Sequence, residues 1–202
     1  KRCRGILGKL AALWWSGADK KVTNGLSGEA LVAVIGDGTK EGQVITLDYR
    51  LVLPHHDGPG AQPPKKTDWF VNRICAIEKA LNKQDLFLSG CRASMDTFYA
   101  TKEIRDTLNL FEIKMVSNLH PTRNRITGVF WEKISRPVTL PAGLFCWLWY
   151  RINEDRLKKM DGKTGVFYLR QEVQTNSFGK VVLIAQNNNG DIRFLFGSDT
   201  NM

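Results

Sequence analysis

Apolar and polar positions alternate differently in the two halves of the chain. Residues 30–35, Ala-Leu-Val-Ala-Val-Ile, form an unbroken apolar run, which predicts a strand buried on both faces. Asp37-Gly38 supplies a turn. Ile45, Leu47, Tyr49, Leu51 and Leu53 then recur at every second position, predicting a half-buried strand antiparallel to the first. The Pro- and Gly-rich stretch 54–66 reads as a loop. Thr67-Asp68 caps a helix of about four turns, with Phe70, Ile74, Ile77 and Leu81 at helical spacing. Leu86-Phe87-Leu88 opens a strand that runs to Met95 and is ended by Asp96. Thr97 to Asn109 reads as a helix burying Ile104 and Leu108, and Phe111 to Val116 as a further strand.

From Arg125 onward the pattern is one of short strands: Ile126–Ile134, Leu144–Arg151, Gly165–Val173, Gly179–Gln186 and Asp191–Phe196. Within the second, Phe145, Trp147 and Trp149 alternate with Cys146, Leu148 and Tyr150. A basic link over 156–163 separates two of these strands, and Asn187-Asn188-Asn189-Gly190 reads as a hairpin turn. Residues 1–118 therefore read as a mixed α/β domain and residues 119–202 as a β-rich subdomain.

Composition narrows the function classes. The chain has 202 residues, 43% hydrophobic and 24% charged, which excludes wholesale disorder. No apolar run reaches the ~18 residues of a membrane-spanning helix. The formal net charge of +9 favours a polyanionic partner such as nucleic acid. Cys3, Cys75, Cys91 and Cys146 are scattered, without a C-x-x-C pair, so Cys75 and Cys146 read as buried thiols in a reducing, intracellular setting. The N-terminus lacks a signal-peptide pattern and starts with Lys1, from which we expect a start inside a longer polypeptide.

The sharpest chemical feature is Ser94-Met95-Asp96-Thr97-Phe98-Tyr99-Ala100-Thr101, a carboxylate where a strand gives way to a helix. Ligands gather at the carboxyl ends of strands in α/β sheets, and a rigid carboxylate there suits Mg²⁺. The competing reading is that Asp96 simply caps the helix that follows. His55-His56-Asp57 would need further ligands to hold zinc, and His120 is the only other histidine. Trp14-Trp15, Trp131, Trp147 and Trp149 offer stacking surfaces, although Trp147 and Trp149 on one strand face read as core. Gly5-x-x-Gly8-Lys9 lacks phosphate-loop spacing, and there is no G-x-S-x-G elbow.

The stretch Asp96, Phe98, Tyr99, Thr101, Lys102-Glu103-Ile104 resembles the second acidic motif of DDE-type transposases of bacterial insertion sequences. Flanking segments carry the resemblance further. Asp48-Tyr49-Arg50-Leu51-Val52-Leu53-Pro54 and Lys66-Thr67 resemble the segment and helix start that precede that motif. Gly5 to Gly28, with Trp14-Trp15, Lys20-Lys21 and Asn24-Gly25, resembles the stretch after the first motif. Val116-Ser117-Asn118 with Arg123-Asn124-Arg125 resembles the basic strand and turn after the second. Asp191-Ile192-Arg193-Phe194-Leu195-Phe196 and Ser198-Asp199-Thr200 resemble the strand before the third.

The resemblance implies a ribonuclease H-like α/β core, a mixed sheet with flanking helices, followed by a β-rich insertion subdomain. It implies Mg²⁺- (or Mn²⁺-) dependent phosphodiester cleavage and strand transfer, with DNA as partner and a homo-oligomer in the synaptic complex. It places the protein in the cytoplasm at the nucleoid. Asp96 becomes a catalytic metal ligand, and Tyr99, Lys102, Lys114, His120, Arg123 and Arg125 become DNA contacts. The family's first Asp would precede Lys1 and its final Glu would follow Met202, leaving one of three acids in this chain. Asp37 and Glu29 are possible substitutes; Asp37 reads better as a turn residue, and Glu172 as a solvent-facing strand residue. The chain alone is then expected to be a poor nuclease, since one carboxylate does not hold two Mg²⁺ ions. The alternative is a catalytically dead or domesticated relative that binds DNA or a protein partner. A third reading is an unrelated α+β binding domain in which Asp96 is a cap.

Overall fold

The structure, a computed structural model, describes residues 12–16, 21–25, 27–35, 43–52, 65–97, 99–130 and 136–198, with side chains left out for 12–27, 52 and 66. The sequence features at Lys20, Asp37, His55-His56-Asp57, Phe98, Trp131 and Asp199-Thr200 lie outside the described residues, as do the side chains of Trp14 and Trp15. The chain is mixed α/β and divides into two compact units, Lys1–Lys65 and Lys66–Met202. The sequence-based boundary at 118/119 falls within the second unit, where strands from both sides of it share one sheet.

The first unit holds two antiparallel hairpins. Strand β1 (Ala12–Ser16) pairs with β2 (Lys21–Gly25), and β3 (Ser27–Ile35) pairs with β4 (Gln43–Val52). The β3–β4 pairing matches the antiparallel expectation, but burial does not. Val34 and Val44 are each 67% exposed, so the apolar run 30–35 is not a strand buried on both faces. A ribbon of two strands covers neither of its own faces, whatever its composition. Across its directly opposed pair, Arg50 Nε and Nη2 both donate at 2.6 Å to Glu29 Oε2.

The second unit is built on an eight-stranded sheet with three helices. Helix α1 (Lys66–Asn82) buries Phe70 and Ile74 from the predicted stripe. It is followed by β5 (Arg92–Met95), α2 (Lys102–Leu110) and β6 (Lys114–Ser117), a parallel pair joined by a helix. Next come β7 (Arg125–Gly128), β8 (Val138–Pro141), α3 (Ala142–Ile152), a 3₁₀ turn at Glu154–Arg156, and β9 (Lys158–Lys159). The meander β10 (Val166–Thr175), β11 (Gly179–Asn188) and β12 (Asp191–Gly197) closes the chain. The strand order is β5-β6-β12-β11-β10-β7-β8, with β9 on β10, and only β5–β6 is parallel. Val181, Val182, Leu183 and Ala185 of β11 are all buried, so the central strand is covered on both faces.

Two sequence expectations are corrected in this unit. Leu86-Phe87-Leu88 is not strand. Asp85 adopts a left-handed conformation (φ 55°), Leu86 N–H turns back to Leu81 C=O, and the buried Glu78 carboxylate accepts Leu88 N–H at 3.0 Å. These local bonds use donors that a ladder would need, and Phe87 is left 61% exposed. Leu144–Arg151 is not strand either but lies in α3. Ala142, Phe145, Cys146, Trp149 and Tyr150 are buried at helical spacing, while Trp147 is 56% exposed. A continuous apolar run satisfies both periods, and only the outward position of Trp147 separates them. The strand expected over Ile126–Ile134 is observed at Arg125–Gly128, and residues 131–135 lie outside the described residues.

A candidate site at the carboxyl end of the parallel pair

Asp96 directly follows β5 and is exposed. It does not cap α2. The N-cap is Thr101, in extended conformation, whose Oγ1 accepts Ile104 N–H at 3.3 Å. The intervening chain turns instead, with Tyr99 N–H donating to Asp96 C=O at 2.9 Å. The Asp96 carboxylate therefore stands at a strand end without the duty that most often explains an Asp there. The strand ends are fixed: Met95 lies opposite Ser117, and Ser117 Oγ donates to Met95 C=O at 2.8 Å.

The chain leaving β6 forms the second wall. Asn124 is buried, its Oδ1 accepting His120 N–H at 2.9 Å and its Nδ2 donating to Ser177 Oγ at 3.0 Å. The same turn supplies acceptors to α3, which has no side-chain cap. Ala142 N–H donates to Asn124 C=O and Gly143 N–H to Pro121 C=O, both at 2.9 Å. Gly143 packs closely here: a Cβ on it would lie 3.0 Å from Pro121 Cβ. Helix, turn and strand end together enclose a groove of about 460 Å³ lined by Thr97, Asn118, Pro121, Cys146, Arg193 and Phe194 among others.

The predicted site residues do not gather in one place. His120 lies between groove residues Leu119 and Pro121, and its Nδ1 accepts Arg123 N–H at 3.2 Å. Arg123 and Arg125 are exposed on the same turn and the strand it enters, Arg125 N–H being held by Asn176 Oδ1 at 2.8 Å. Tyr99 packs toward α1, its ring 6.3 Å from that of Phe70. Lys102 opens α2, exposed and ion-paired with Asp106 at 2.6 Å. Lys114 is at the other end of β6 from Ser117, opposite Arg92, roughly 10 Å along the strand from the Asp96 end. Arg193 escaped sequence reasoning. It reaches the groove from β12, paired at 2.7 Å with Asp191, and the signal was a lone cation between Ile192 and Phe194.

Two groups carry a clear electrostatic signature. Hydrogen bonds from Lys102 and then Arg105 hold the Asp106 carboxyl below its usual range. Burial pushes the Cys146 thiol up to about 12, so the one sulfur on the groove wall is a neutral, inert thiol at physiological pH. Cys75, expected to be buried, is exposed.

Asp96 supplies the hard oxygen donor that Mg²⁺ prefers and fits as one ligand among several. Among the described residues, no group of three or more His, Cys, Asp and Glu side chains is placed to hold a metal ion. Of the other acids considered, Glu29 is engaged by Arg50 in the first unit, and Glu172 is exposed on β10 and ion-paired with Lys180 at 2.5 Å. Among the described residues no helix is long and apolar enough to cross a membrane. Comparison of the chain with protein-family models, with curated proteins and with solved structures gave no match in any of the three.

Proposed function

We propose that this chain is the DNA-engaging part of a DDE transposase-like protein, with β5–α2–β6 belonging to a ribonuclease H-like core. The β-rich stretch after β6 is then the insertion. The single observation that carries the reading is the exposed Asp96 at the carboxyl end of a parallel strand, with helix capping left to Thr101. The net charge of +9 and the exposed Arg123 and Arg125, on the chain that follows groove residue Pro121, support a phosphate-bearing ligand. In this reading Asp96 is one ligand of a Mg²⁺ (or Mn²⁺) centre for phosphodiester cleavage, and His120, Arg123 and Arg125 hold the DNA backbone. Lys114 lies too far along β6 to share that grip.

A second reading is favoured by the isolation of Asp96 among the described acids: a relative that binds DNA and does not cut it. Fluorescence anisotropy with a labelled duplex, at several salt concentrations, tests what the two readings share. Affinity should fall with salt with a log–log slope of about −0.9 per phosphate contacted. Arg123→Ala and Arg125→Ala should each reduce that slope by about 1. Absence of salt-sensitive binding would remove both readings. Plasmid nicking in Mg²⁺ that Asp96→Ala abolishes, with duplex affinity unchanged, supports the first. An inactive wild-type chain agrees with both, since one carboxylate does not hold two Mg²⁺ ions.

A further inference from the structure

The register of the eight-stranded sheet assigns each strand side chain to one of two faces, and the faces differ in character. Met115, Val173, Val181, Leu183, Ala185 and Phe196 share one face and are buried. Helices α2 and α3 both pack there. A Cβ on Gly128 would lie 2.9 Å from Phe145 Cζ of α3 and 3.1 Å from Val173 Cγ1, and Asn187 Nδ2 donates to the Tyr150 hydroxyl of α3 at 2.7 Å. Arg105 of α2 lies 5.9 Å from the centre of the Phe178 ring, which is 4.8 Å from that of Phe196.

The opposite face is basic. Arg92 of β5, Lys114 of β6, Lys158 of β9, Arg170 of β10, Lys180 of β11 and Arg193 of β12 all point to it and all are exposed, so each of these strands contributes a base. Among the described strand residues its acids are Glu172 and Asp191, and each is ion-paired with a base of the same face, Lys180 and Arg193. The face also has an apolar centre. Lys158, Tyr168, Gln186 and Arg193 are opposed in one row across β9, β10, β11 and β12, and Arg170, Ile184 and Leu195 form the adjoining row. The first row spans roughly 14 Å, three interstrand spacings. Tyr168, Ile184 and Leu195 are half-buried, and each has a cation beside it: Lys158, Arg170 and Arg193 in turn.

We propose that this sheet face binds single-stranded nucleic acid, with bases lying on Tyr168, Ile184 and Leu195 and phosphates held by Lys158 and Arg170. An unpaired strand offers both a charge on every unit, to meet bases spread over many strands, and open π faces for the apolar centre. A duplex keeps its base faces stacked inside and would leave that centre unused. The groove beside Asp96 adjoins this face at Arg193 and Leu195, but nothing in the grip depends on Asp96.

The test is fluorescence anisotropy with the whole chain and labelled ten-nucleotide strands of dT and of rU, whose relative affinities tell DNA from RNA. A labelled duplex and a decapeptide of alternating Val and Glu are the comparisons. A single strand should bind saturably, with a log–log salt slope of about −0.7 per phosphate contacted. Arg170→Ala and, independently, Lys158→Ala should each reduce that slope by about 0.7, with duplex affinity and the circular dichroism spectrum unchanged. Both positions are exposed, so either variant suffices if the other misfolds. Tyr168→Leu, which keeps an apolar side chain, should weaken the single strand about fivefold at unchanged slope. Arg123→Ala should weaken the duplex and leave the single strand alone, so the failure of either grip is read separately from the other. Four results would each overturn the proposal: no saturable binding of either strand, equal binding of the Glu peptide, full affinity in Tyr168→Leu, or a single strand lost with Arg123→Ala and retained by both Arg170→Ala and Lys158→Ala.

Discussion

Thr101→Ala and Asp96→Ala should have opposite consequences, and the contrast tests the basis of the functional reading. Thr101 Oγ1 satisfies one of the N–H groups that begin α2, at 3.3 Å, toward the long end of hydrogen bonding. Losing such a cap costs about 0.5–1 kcal/mol. With an urea dependence of ~2 kcal/mol per molar, the midpoint should move by roughly 0.25–0.5 M. The Ile104 amide should also exchange several-fold faster, since ~1 kcal/mol is about a factor of five. Asp96 is exposed and does no capping, so its replacement should change stability by less than ~0.5 kcal/mol. Urea titration followed by circular dichroism, with amide exchange of Ile104 by NMR, reads both. If Asp96→Ala cost more than ~1 kcal/mol while Thr101→Ala was silent, Asp96 would be structural, and the argument for chemistry there would fail.

Other consequences are more local. Gly128→Ala should destabilise by about 1–3 kcal/mol, read as a lowered melting temperature, because the new Cβ would lie 2.9 Å from Phe145 Cζ and 3.1 Å from Val173 Cγ1. Tyr150→Phe should cost about 1 kcal/mol in the same assay, since the buried hydroxyl accepts Asn187 Nδ2 at 2.7 Å. Iodoacetamide at pH 8 should label Cys75 and Cys91 and spare Cys146 until the protein is denatured, as peptide mass mapping would show. Because the folded Cys146 keeps its proton to about 12 and the free thiol titrates near 9.0, its contribution is intact below pH 9 and is lost as pH rises toward 12. The Asp106 carboxyl should titrate below 3.8 by NMR, and its contribution should disappear as pH falls through that lowered value.

Much of the local order was legible because single segments carried one period clearly. The spacing of Phe70 and Ile74 located α1, and the alternation in 166–197 located the meander. Asp96 at a strand end was legible for the same reason: apolar residues stop there and a helical stripe resumes at Ile104. Segments whose composition fits two periods were not. Residues 144–151 are helix, and the mark of it is Trp147, exposed while Phe145 and Trp149, which would share its face in a strand, are buried. Burial of 30–35 was not legible, because hydrophobicity of a strand does not say how many neighbours the sheet will provide. The basic cluster was half legible. Sequence proximity grouped Lys114 with His120, but a strand carries its two ends apart.

The β5–α2–β6 unit joins the rest of the sheet through β12, with Phe196 opposite Ser117 and Ser198 Oγ accepting Met115 N–H across 83 positions of chain. The hairpins β10–β11 and β11–β12 need only short turns, so they have little closure entropy to overcome and should assemble early. The β6–β12 ladder closes a far longer loop and should form later. A nascent chain released before residue 196 would carry Asp96 on a β5–α2–β6 unit without the β12 edge that joins it to the rest of the sheet.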